Sequence, residues 1–212
     1  KHVPLEDAEM KIDEIITKPK SHSRWVIYSA GGAVSAGVVL LYDGTPAMVA
    51  ISFLMGFLVT GMLRWMTRLG VATFYAQIIT SLLITLSAAS LAWLNHYMGI
   101  SMNPTILVIG GIVLLVAGMM IVGAFQDAID EYYITANARL LKVAMATGGI
   151  VVGVLTGLYI ATRFGVTFPA TPDRLSLADT QLQYIGALVI AAAFALRNHA
   201  SVWGTVVAGS VG

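Results

Sequence analysis

Apolar residues fill most of this chain in stretches long enough to cross a bilayer, and polar residues gather in the gaps. A hydrocarbon core of ~30 Å takes ~20 helical residues, fewer where loops or flanking side chains reach inward. Six runs fit: Trp25–Tyr42, Pro46–Leu63, Ala72–Leu94, Pro104–Phe125, Val143–Ala161 and Gln181–Leu196. The sixth has the shortest strictly apolar part. A seventh opens at Ser201 and reaches Gly212. Asp43-Gly44-Thr45-Pro46, Asn95-His96 and Asn103-Pro104 supply turn chemistry for short connections, and Asn103 with Pro104 also reads as a helix cap followed by a first-turn proline. The longest connection, Thr162 to Thr180, holds Pro169, Pro172, Asp173 and Arg174.

Ahead of the first run the pattern changes. Leu5, Ala8, Ile12, Ile15 and Ile16 recur at spacings of three and four among Glu6, Asp7, Glu9, Asp13 and Glu14. That spacing predicts a short amphipathic helix within Pro4–Lys18, ended near Pro19. Trp25 follows Lys18, Lys20 and Arg24 as an interface anchor. The polar, acidic start does not resemble a signal peptide. The chain ends inside an apolar run, so a piece of a longer protein is expected.

Composition then narrows the class. Only 11% of residues are charged, against roughly 25% in a soluble domain, and mean hydropathy is +0.83. A soluble enzyme and a disordered chain are excluded. Lys+Arg 12 against Asp+Glu 11 leaves no basic excess for nucleic acid. With Cys 0 there is no disulfide, thiolate nucleophile or thiolate metal site. The expected fold is all-α, a polytopic membrane helix bundle of about six transmembrane helices plus the start of a seventh.

The basic residues set an orientation. If the loops alternate sides, one set holds Lys1, Lys11, Lys18, Lys20, Arg24, Arg64, Arg68, Arg139, Lys142 and Arg197. The other holds only Arg163 and Arg174. The positive-inside rule then places the N-terminus in the cytoplasm.

Gly149, Gly153 and Gly157 lie four apart on one face of the fifth helix. Such a stripe admits a neighbouring backbone, as a packing face or as a sliding surface in a moving bundle. In the third helix Gln77, Thr80, Ser81, Thr85, Ser87 and Ser90 are polar. Thr80 and Ser87 line a pathway or bond back to helix carbonyls. Met119 and Met120 read as adaptable packing.

The junction of the fourth and fifth helices gathers Asp127, Asp130 and Glu131, then Arg139 and Lys142. No Gly or Pro falls between Ala124 and Ala146, so helix is expected on both sides of a tight turn near Tyr132–Thr135, with Thr135 as the next cap. Asp127 and Glu131, four apart, share a helical face, and Arg139 is the natural partner. A like charge raises a carboxylate's proton affinity and a facing guanidinium lowers it. A group so placed can load and release a proton, or simply be hydrated at the interface. No HExxH or Walker loop is present. Ala33-Val34-Ser35-Ala36-Gly37 misses the first glycine of GxSxG and has no histidine at membrane depth. The chain is not expected to be an enzyme, and no metal or cofactor is implied.

Several segments together resemble the threonine/serine exporter family, most closely its actinobacterial branch. They are Ile109-Gly110-Gly111-Ile112-Val113-Leu114-Leu115-Val116-Ala117-Gly118, Gln126-Asp127-Ala128-Ile129, Thr135-Ala136-Asn137-Ala138-Arg139 and Gly148-Gly149-Ile150-Val151-Val152-Gly153. Asp130-Glu131-Tyr132-Tyr133 departs from the smaller, glycine-containing turn of that family, so Asp127 and Arg139 are carried over but Asp130 and Glu131 are not. The resemblance implies a proton-driven secondary transporter exporting L-threonine and L-serine from a bacterial plasma (inner) membrane. It implies about ten helices in two related halves.

The expected division is a cytosolic segment at 1–24, a first five-helix repeat at 25–161, an extracytoplasmic loop at 162–180 and the start of a second repeat at 181–212. Tyr28, Thr45 and Gly56 find echoes in Tyr184, Ser201 and Gly212. An odd number of helices per repeat would make the repeats inverted. Candidate substrate or proton-coupling residues are Asp127, Arg139 and Gln126. Candidate pathway residues are Gly118, Thr80 and Ser87, and candidate packing residues are Gly149, Gly153 and Gly157. Expected partners are a small amino acid, protons and the lipid bilayer, with further copies of the chain left open. An exporter of small carboxylates such as succinate and a non-transporting scaffold subunit are the alternatives.

Overall fold

The expected runs become helices, and three of their starts carry a side-chain cap at Thr45, Asn103 and Asp179. A computed structural model describes residues 23–98, 103–116, 118–166, 177–198 and 202–211. These form α1 (Arg24–Leu41), α2 (Pro46–Arg68), α3 (Thr73–Met98), α4 (Pro104–Val113), α5 (Gly118–Ile129), α6 (Tyr133–Arg163), α7 (Thr180–Arg197) and α8 (Val202–Val211), with no strand among the described residues. Thr45 Oγ1 accepts from the Met48 amide at 3.4 Å ahead of Pro46. Asn103 Oδ1 accepts from the Thr105 amide at 3.1 Å ahead of Pro104. Each cap satisfies an amide with no partner inside its own helix. The expected helix within Pro4–Lys18, with residues 167–176 of the long connection, lies outside the described residues.

Five helices are long and apolar enough to span: α1, α2, α3, α6 and α7. The sixth span is not the continuous Pro104–Phe125 helix expected. α4 and α5 stand there, bent by 41° between Val113 and Gly118, and counted together as one broken span they bring the number to six. Gly110, Gly111 and Gly118 lower helix propensity around the break, by ~1 kcal/mol each relative to Ala. The amides of Leu114 and Leu115 bond to Gly111 O at 3.3 Å and Ile112 O at 2.8 Å, a tighter turn than the α-helix.

The hairpin after α5 also differs from expectation. The turn lies at Asp130–Tyr132, and Tyr132 rather than Thr135 precedes the next helix, with no side-chain cap bond. Glu131 takes φ 68°, the left-handed conformation that favours glycine. The glutamate thus adopts the backbone a glycine would supply freely. Replacing Glu131 with Gly is expected to stabilise the protein by up to ~1 kcal/mol, because left-handed backbone costs a side chain ~1–2 kcal/mol and glycine's extra chain entropy offsets part of it. Reversible denaturation in detergent measures this. An unchanged or lower stability would show that the turn is not strained.

α4 is the centre of the bundle and packs against α1, α2 and α3. Val34, Val39, Ile84 and Leu107 are fully buried there, and large apolar side chains such as Leu54, Leu58 and Leu155 point outward. The hydroxyls of the buried Ser35, Ser52, Thr60, Thr80, Ser81 and Thr85 are hydrogen-bonded, as a low-dielectric interior demands. Ser35 and Ser52 share a 2.7 Å hydrogen bond between α1 and α2, and Gly110 of α4 lies over them.

α1 and α7 are antiparallel neighbours: the Ala178 amide donates to Leu41 O at 2.9 Å, and Gly37 and Gly186 bring the two backbones together. Both helices have 18 residues. α8 starts as far after the start of α7 as α2 does after the start of α1.

Candidate functional site

α6 has 31 residues, which at ~1.5 Å each come to ~46 Å, well beyond a ~30 Å hydrocarbon core. Its glycine stripe shows which part lies in the bundle. A Cβ at Gly149 would stand 2.7 Å from Phe74 O, one at Gly153 would meet Ser81 Oγ and Ile78 O, and one at Gly157 would stand 2.7 Å from Thr85 Cβ. These glycines therefore pack α6 directly onto α3. Since α3 starts at Thr73, the part of α6 before Gly149 continues past that end of α3, with α5 packed against it. The helical hairpin of α5 and early α6 thus extends the end of the bundle that carries Arg64, Arg68 and Arg197.

On this hairpin Arg139 Nε lies 3.1 Å from Asp127 Oδ2. The side chains differ in exposure, 46% for Arg139 and 19% for Asp127. Oδ2 is buried and accepts no hydrogen bond from any described residue, so the pair is held by charge and not by an aligned N–H. Gly123, one turn before Asp127, makes room for the guanidinium: a Cβ there would stand 2.6 Å from Arg139 Nη1. The carboxylate and the arginine's space therefore lie on one face of α5. Gln126 is exposed on the same helix and makes no described contact with the pair.

Other expectations are corrected or placed. Glu131 lies in the turn beyond α5, so it does not share a helical face with Asp127. Thr80 is buried and donates to Ala76 O at 2.7 Å. Ser87 donates to Ile84 O at 2.8 Å and contacts Met55 Sδ at 3.0 Å. Each hydroxyl bonds back to its own helix and both residues line one cavity with Met55 and Ile84, apart from the Asp127 pair. Gly118 opens α5, with free space where a Cβ would stand.

Two further polar residues serve the broken span. Gln77 Nε2 donates to Leu115 O at 3.2 Å, and Arg197 Nη1 donates to Leu114 O at 3.1 Å. They reach from α3 and α7 to carbonyls that the break releases from helix pairing, which apolar surroundings would otherwise leave unsatisfied. The sequence contains this signal weakly, in a glutamine within an apolar helix and glycines flanking the break. Arg197 reads there only as one of the charges that set topology.

Small residues packed between helices, large apolar side chains turned outward and a span broken inside the bundle define a polytopic helical membrane protein. The chain belongs to the threonine/serine exporter family: residues 1–161 match the family described as "Putative threonine/serine exporter". A Mycobacterium tuberculosis protein named "Probable threonine/serine exporter" is 29% identical over 196 residues, covering 92% of this chain and 36% of that protein. A Corynebacterium glutamicum protein named "Threonine/serine exporter" is 29% identical over 206 residues, covering 96% of this chain and 42% of that protein. The chain thus spans less than half the length of these curated relatives. No solved structure matches it.

Proposed function

We propose that the protein is a secondary transporter that exports L-threonine and L-serine, coupled to inward movement of protons. The observation that carries this reading is the Asp127–Arg139 pair, in a family whose two curated relatives are named for threonine/serine export. A coupling group must accept a proton on one side of the membrane and release it on the other. Asp127 lies on the hairpin that extends the basic end and would exchange its proton with that side directly and with the other through the bundle; its Oδ2 is buried beside a guanidinium yet makes no hydrogen bond with any described residue.

In this reading the end bearing Arg24, Arg64, Arg68 and Arg197 faces the cytoplasm of a bacterium, following the positive-inside rule. The antiparallel α1 and α7 are then equivalent helices of two inverted repeats, each repeat holding an odd number of spans.

Uptake into inverted membrane vesicles, with serine and succinate as competitors of labelled threonine, tests the substrate class. Serine is expected to compete and succinate to leave threonine flux unchanged. Competition by succinate alone would transfer the reading to a carboxylate exporter. Absence of solute flux, with tolerance of changes at Asp127 and Arg139, would identify a scaffold subunit.

A further inference from the structure

The broken span borders a cavity of about 210 Å³ at the basic end. Ile27, Leu63 and Phe194 give it apolar walls, Val116 and Met119 belong to the break and to α5, and Arg64 and Arg197 line it together. It is smaller than the ~300–1,000 Å³ pockets of drug-sized ligands, as befits a solute of few atoms. Thr60, buried, adds a hydroxyl to the lining.

Arg64 and Arg197 are close enough to repel each other. Neither has an acidic partner among the described residues. Arg64 lies over the Tyr28 ring at 5.9 Å, and Arg197 directs one N–H to Leu114 O at 3.1 Å. A guanidinium has five donors, so most remain for a ligand. Two cations lining one partly enclosed cavity favour an anion, and arginine matches the fork of a carboxylate.

The backbone adds polarity of both signs. α5 begins beside the cavity with the positive end of its dipole, Met119 and Met120 lining it, and α4 ends with its negative end at Val113, three residues before the lining residue Val116. A carboxylate is favoured near the first and an ammonium near the second, within the span of one small zwitterion.

We infer that this cavity, between α1, α2, α7 and the α4–α5 break, binds the transported amino acid, with Arg64 and Arg197 receiving its carboxylate. The inference rests on the transport reading above and gives that reading a site apart from Asp127. The carbonyl end of α4 faces the ammonium, and the small volume excludes larger side chains. Met119 and Met120 join the cavity to Asp127 along α5, two turns away. Protonation at Asp127 and occupation of the cavity can therefore act on one helix.

The test uses the protein in its full natural length, reconstituted in phosphatidylcholine vesicles with and without phosphatidylglycerol. KM and kcat for labelled threonine are measured for the unmodified protein, Arg64→Gln, Arg64→Lys and Arg197→Gln. Arg64→Gln is expected to raise KM about tenfold or more with kcat changed far less, as loss of a charge-assisted carboxylate contact requires. Arg64→Lys should recover part of that loss. Threoninol, which lacks the carboxylate, should not compete. Arg197→Gln should raise KM too, with a further loss of kcat because the break loses a cap.

A KM unchanged by Arg64→Gln and Arg197→Gln, in a protein that transports threonine, would overturn the site assignment alone. Effects of the variants only where phosphatidylglycerol is present would also overturn it, in favour of a lipid phosphate. No threonine flux by the unmodified protein would overturn both the site and the transport reading.

Discussion

Gly153→Leu is expected to prevent α6 from seating on α3 and to leave little folded protein. Even the first added carbon at this position meets Ile78 O and Ser81 Oγ. Ser81 can rotate, but the carbonyl cannot leave without breaking the hydrogen-bonded ladder of α3. Extra methylenes in a packed core typically cost ~1–3 kcal/mol where neighbours can adjust. Here the neighbour is backbone, so a loss at or above that range is expected. Gly148 supplies the internal control, since a Cβ there meets nothing within 4 Å. Gly148→Ala is expected to be neutral or stabilising by up to ~1 kcal/mol through helix propensity. Yield of monodisperse protein and its unfolding midpoint in detergent measure both. Equal tolerance at the two positions would contradict the close packing of α3 and α6.

Asp127→Asn is expected to reduce proton-driven export about tenfold or more while leaving the fold intact. Asparagine keeps the shape of the carboxylate but neither binds nor releases a proton, and it carries no charge for Arg139. Arg139→Gln should impair export as well, because Asp127 loses the cation 3.1 Å away. Asp130→Asn and Glu131→Gln should be tolerated, because both residues lie in the turn and neither pairs with Arg139 among the described residues. Export assays on matched expression levels make the comparison. Normal, still proton-driven export by Asp127→Asn would end the proposed coupling role.

The spans were legible because hydropathy and caps act locally. Thr45-Pro46 and Asn103-Pro104 mark helix starts from the sequence alone, and the structure adds their hydrogen bonds. The glycine spacing of α6 was legible as a close-packing face, though only the structure names Phe74, Ile78 and Thr85 as what it meets. Proximity of Asp127 to Arg139 could be inferred, since a tight hairpin brings neighbouring helices together.

The break in the fourth span was only weakly legible. Leu114, Leu115 and Val116 are as apolar as the helix around them, so hydropathy continues straight through. What permits the break lies far away in sequence, at Gln77 and Arg197, which cap the released carbonyls. The cavity was hidden for the same reason. Arg64 and Arg197 looked like separate interfacial charges until packing of α1, α2 and α7 brought them to one place. Glu131 shows a third limit: a residue with no turn preference of its own occupies left-handed backbone because the hairpin imposes it.

The most direct test of the account is threonine movement driven by protons in a purified system. The protein in its full natural length, reconstituted in vesicles loaded with labelled threonine, is exposed to a pH gradient with acid outside. The side facing the outer solution is fixed by accessibility of an engineered cysteine. Loss of label from the lumen is expected to speed up with the gradient, to collapse with a protonophore and to lose gradient dependence in Asp127→Asn. Threonine loss that matches protein-free vesicles, with or without the gradient, would contradict proton-coupled export.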